Sequence, residues 1–133
     1  MLIDLDSAKA MLDSAVALKG ADYVYTRPEG QMFCSYVHVD ENGNRSMGCL
    51  IGTALILAGV LSLDDFAPDQ CAGDTGFPLN GTDANALVSQ LRRYGHTVSE
   101  DAEYLFSAAQ GAQDCGTPWG TAVANAYTDV SHM

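Results

Sequence analysis

The run Cys49-Leu-Ile-Gly-Thr-Ala-Leu-Ile-Leu-Ala58 is apolar almost all the way round a helix and ends at Gly59. A helix without a polar face has to be buried, and a following glycine supplies the left-handed residue on which helices stop. Extended from Leu50 to Leu63 the stretch is about 14 residues long and is interrupted by Gly52, Thr53, Gly59 and Ser62. A bilayer core of roughly 30 Å needs about 20 apolar residues, so the expectation is a central helix inside a protein core and no membrane span. The remaining elements must then cover that helix. A chain of 133 residues, 47% of them hydrophobic, can do so as one globular domain spanning residues 1–133.

Around this helix the periodicity predicts four more. From Asp6 to Lys19, Ala8, Met11, Leu12, Ala15 and Val16 recur at helical spacing, with Asp6 or Ser7 as N-cap and Gly20 as the stop. A helix from Thr82 or Asp83 to Tyr94 places Leu87 and Leu91 inward and carries Arg92 and Arg93 where the helix dipole favours cations. Ser99 caps the next, with Glu100, Asp101 and Glu103 in its first turn and Ala102, Leu105, Phe106 and Ala109 on its core face, ending before Gly116. Thr117-Pro118 then opens a last helix over about 118–128, since proline suits the first helical position.

Between the first two helices the composition is β-like. Asp22 to Arg27 is aromatic and β-branched, Pro28 to Gly30 offers a turn, and Met32 to Asp40 reads as a second strand. Asn42-Gly43 suits a two-residue type I′ hairpin, with a third strand from Arg45 to about Gly48. That turn sets Asp40 opposite Arg45, Val39 opposite Ser46 and His38 opposite Met47. The expected fold class is therefore α+β: a short antiparallel meander of two to three strands packed with four to five helices. Such short connections disfavour parallel pairing. Residues 62–81, with Asp64, Asp65, Asp69 and Asp74, read as a long solvated loop.

Six Lys and Arg against 17 Asp and Glu give a formal charge of -11. Such a field repels phosphate backbones and anionic membranes, which places direct nucleic-acid binding last among the functions open to the chain. The acidic start Met1-Leu-Ile-Asp-Leu-Asp6 has no basic region and no apolar run of the signal-peptide kind, so the reading is cytoplasmic. Cys34, Cys49, Cys71 and Cys115 form no Cys-x-x-Cys pair and are expected as free thiols. No phosphate-binding glycine loop, His-Glu-x-x-His or Gly-x-Ser-x-Gly occurs.

Cys49-Leu-Ile-Gly52 with Ala54-Leu55 and Gly59-Val60, preceded by Asp22-Tyr-Val-Tyr25 and the Phe33 to Val37 segment, resembles a group of small uncharacterised proteins of actinobacteria and their phages. The stretch from Gln113 through Thr117-Pro-Trp119 to Val123 resembles the last helix of the same group. The likeness covers about two thirds of the chain, leaving out residues 61–81. It implies a provenance and a shared fold, and for a phage-encoded chain the cytoplasm would be the host's. No activity, cofactor or functional residue comes with it.

Three chemistries are open on the residues themselves. Cys49 stands at a predicted helix N-terminus, where the dipole favours a nucleophilic thiolate, and His38 is the candidate base if the third strand reaches Cys49 and pairs it with Tyr36. Against this stands the tendency of free cysteine to be a small buried core residue. A tetrahedral metal site from Cys34, Cys49 and His38 with Cys71 or Cys115 lacks the paired spacing of zinc sites, and the aspartates of the loop lack the calcium-loop pattern. Tyr23, Tyr25, Phe33, Tyr36 and Trp119 fit either an aromatic interface or the core. The expectation is a small acidic non-enzymatic protein that binds a host or phage protein, with Tyr23, Tyr25, Tyr36, His38, Cys49 and Trp119 as candidate binding residues and no metal or cofactor. The alternative is a small-molecule-sequestering protein or thiol-dependent enzyme centred on the hairpin and the Cys49 helix.

Overall fold

Asp4 adopts extended backbone and its Oδ1 accepts the Ser7 N–H at 2.9 Å, which starts the first helix, α1 (Leu5–Lys19), ahead of the expected Asp6 or Ser7 cap. That hydrogen bond holds the Asp4 carboxyl below the usual carboxylate range. At the other end Gly20 takes φ 97° and its N–H returns to the Val16 carbonyl, a turn that a side chain would strain. The computed structural model describes residues 2–25, 37–39, 42, 45–61 and 84–131. Within them the order is β1 (Leu2–Ile3), α1, β2 (Val37–Val39), β3 (Arg45–Met47), α2 (Leu50–Leu57), α3 (Ala84–Arg93), β4 (Thr97–Val98), α4 (Glu100–Asp114) and α5 (Trp119–Ser131).

The helical stripes pack as their spacing predicts. Ala8, Met11, Leu12 and Ala15 of α1 and Ala102, Leu105, Phe106 and Ala109 of α4 are buried. Residues 50–55 of α2 are buried on every side. α1 packs against α2, α4 and α5, and α4 also against α3 and α5, so that α1 and α4 form the middle of the bundle. Arg92 ties the end of α3 to β4 and α4. Its Nη2 donates to the Val98 carbonyl at 2.7 Å and its Nη1 pairs with Glu103 Oε1 at 2.8 Å.

The α+β expectation does not hold, because the described chain is mostly helical and no antiparallel meander organises it. β1 and β4, far apart in the chain and not among the expected strands, pair in parallel, Leu2 beside Thr97 and Ile3 beside Val98. The pair is two residues long and is extended by the Ser99 N–H, which donates to the Ile3 carbonyl at 3.0 Å. β2 and β3 are antiparallel, but Val39 faces Arg45, His38 faces Ser46 and Val37 faces Met47. This register is displaced by one residue from the one a two-residue Asn42-Gly43 turn dictates, since residues 40–44 form the connection.

Residues 22–25 are not a strand despite Tyr-Val-Tyr. The carbonyls of Ala21 and Tyr23 instead accept the Gly120 and Trp119 N–H groups at 2.9 Å each, so this segment satisfies the first amides of α5. Tertiary demand for acceptors overrides β-propensity here. The remainder of that expected strand, the 28–30 turn, residues 32–36 and the 62–81 loop lie outside the described residues.

Candidate functional site

Cys49, the residue on which the catalytic and metal readings converge, caps α2 directly after β3 and Gly48. Its backbone is extended (φ −73°, ψ 175°) and its carbonyl accepts the Thr53 N–H at 2.9 Å, but its side chain does not cap the helix. The capping group comes from elsewhere. Gln113 of α4 presents Oε1 to the Leu50 N–H at 2.9 Å, and its Nε2 donates to Asp114 Oδ1 at 2.7 Å. One helical turn earlier Gln110 directs Nε2 to Cys49 Sγ at 3.6 Å. Thr53 closes the group by donating its hydroxyl to the Gly48 carbonyl at 3.2 Å.

The spacing of Gln110 and Gln113 puts both amides on one face of α4, toward the start of α2. Both are buried, as are Thr53 and Cys49, and Cys49 is 0% exposed. A buried amide N–H without an acceptor costs about 1–3 kcal/mol, so Gln113 at this place is a structural necessity for a helix end that lies inside the core. The same arrangement occupies the helix end that would have activated the thiol. Cys49 Sγ accepts a hydrogen bond from a core amide and meets no solvent.

β3 ends at Met47, so Cys49 is not in the strand and the condition for a Cys49–His38 pairing across the hairpin is not met. His38 lies in β2 opposite Ser46, and its side chain, like Tyr36, Cys34 and Cys71, lies outside the described residues. Cys115 is exposed. Among the described residues no three His, Cys, Asp or Glu side chains stand together as a metal site would require.

Of the aromatic candidates, the described ones, Tyr23, Tyr25 and Trp119, are placed inward, and Phe33 and Tyr36 lie outside the described residues. Trp119 is fully buried and Tyr25 is buried, while Tyr23 is half-buried with its ring edge-on to Trp119, centroids 4.7 Å apart and planes at 77°. Lys19 Nζ lies 5.5 Å from the Tyr23 ring centroid. These rings join the 21–25 segment to the start of α5, a packing role.

Two tyrosines that the sequence reading passed over are exposed: Tyr94, after the end of α3, at 52%, and Tyr104 of α4 at 43%. In sequence they lie beside Arg92 and Glu103, whose ion pair joins the end of α3 to α4. A signal for Tyr104 was present. On a helical projection it falls opposite the Ala102, Leu105, Phe106 and Ala109 stripe, where an aromatic residue has no core to enter. No described helix is long and apolar enough to cross a membrane. Compared with family models, curated proteins and solved structures, the chain matches none of them.

Proposed function

We propose that this chain is a small acidic, non-enzymatic accessory protein that acts in the cytoplasm by binding a protein of a phage or of its actinobacterial host. The setting rests on the resemblance to the actinobacterial and phage group. The observation that supports a binding role best is the exposure of Tyr94, after the end of α3, and Tyr104 of α4, two elements joined by the Arg92–Glu103 ion pair. Tyrosine is enriched where interfaces bury most energy, because one rigid ring supplies apolar area and a polar tip at low entropic cost. The binding residues of this reading are therefore Tyr94 and Tyr104, while Tyr25 and Trp119 serve the core. Burial of Cys49 beneath Gln110 and Gln113 weighs against a thiol nucleophile at that position.

The test is a pull-down from actinobacterial lysate with the tagged chain and with its Tyr94→Ala/Tyr104→Ala variant. The wild type is expected to retain a discrete protein that the variant loses by tenfold or more, on the order of a hot-spot loss. The urea midpoint of the variant, measured alongside, separates a loss of binding from a loss of fold. Retention of nothing, or equal retention by both, overturns the proposal.

A further inference from the structure

We draw no further inference here: the strongest candidate, the buried Trp119 indole at the start of α5, whose Nε1 has no hydrogen-bond partner, carries nothing because the first amides of that helix are already held by the Tyr23 and Ala21 carbonyls and nothing among the described residues shows what the indole would bind.

Discussion

Gly120→Ala is the substitution whose effect the structure determines most sharply. Gly120 is the second residue of α5, and a Cβ built on it would lie 2.6 Å from Ala21 Cβ and 3.0 Å from both the Cα and the carbonyl oxygen of Ala21. Carbon atoms in contact stand about 3.5–4.0 Å apart, so the 21–25 segment or the start of α5 must retreat by roughly 1 Å. Retreat stretches the two 2.9 Å bonds from Trp119 N and Gly120 N to the Tyr23 and Ala21 carbonyls. In an unhindered helix the same change is favourable by up to about 1 kcal/mol, through helix propensity and reduced freedom of the unfolded chain. Overpacking typically costs about 1–3 kcal/mol, and each weakened hydrogen bond contributes a further fraction of about 1 kcal/mol. The loss should win. The expected net destabilisation is about 2 kcal/mol, or about 7 °C in Tm for a chain of this size.

Urea unfolding followed by circular dichroism and by fluorescence measures this effect directly, because Trp119 is the sole tryptophan and packs at the site. Gly111→Ala in α4 is the control: a Cβ there meets nothing within 4 Å, and the variant should be neutral or slightly stabilised. Adding Ala21→Gly to Gly120→Ala removes the 2.6 Å contact and should recover part of the loss, with a coupling energy of about 1 kcal/mol. A Gly120→Ala variant as stable as the Gly111→Ala variant would refute the close approach of α5 to residue 21.

Other outcomes follow from the polar contacts. Gln113→Leu leaves the Leu50 N–H buried without its acceptor and should cost about 1–3 kcal/mol in urea unfolding; an unchanged midpoint would show that α2 does not depend on α4 for its cap. In peptide-mapped alkylation of the native protein, Cys115 should label rapidly and Cys49 only after unfolding, whereas rapid native labelling of Cys49 would restore the thiol-enzyme alternative. The Asp4 carboxyl is lowered in the folded state, so its ionised form contributes stability that is complete above the ordinary aspartate value of about 3.9 and is lost as pH falls through the lower folded value. Wild type should therefore lose stability relative to Asp4→Asn, which keeps a cap without the titration, only in that acid window. A gap that stays constant down through the window would show that the Ser7 contact does not stabilise the carboxylate.

The helices were legible because their hydrogen bonds and apolar stripes repeat within a few residues. Ser99 marks the start of α4, where its side chain accepts the Ala102 N–H, and Gly20, Gly59, Gly95 and Gly116 follow helices at positive φ, each signal being local. What failed depended on partners far along the chain. Asp22 to Tyr25 has the composition of a strand, yet its neighbouring carbonyls are taken by α5 amides. Leu2–Ile3 is too short to show alternation and becomes a strand only beside Thr97–Val98. The candidate site divided in the same way. That Cys49 opens α2 was readable, and Gln113 falls on the core stripe of α4 four residues after Ala109, but that its amide caps α2 beside Cys49 was not, since the helix end that needs the acceptor lies far away in the chain. The place of Tyr104 opposite the apolar stripe of α4 was readable, but only tertiary packing decided that Tyr23 and Trp119 meet edge-on and that Tyr94 stays at the surface, because a side chain's burial depends on distant backbone coming within contact of it.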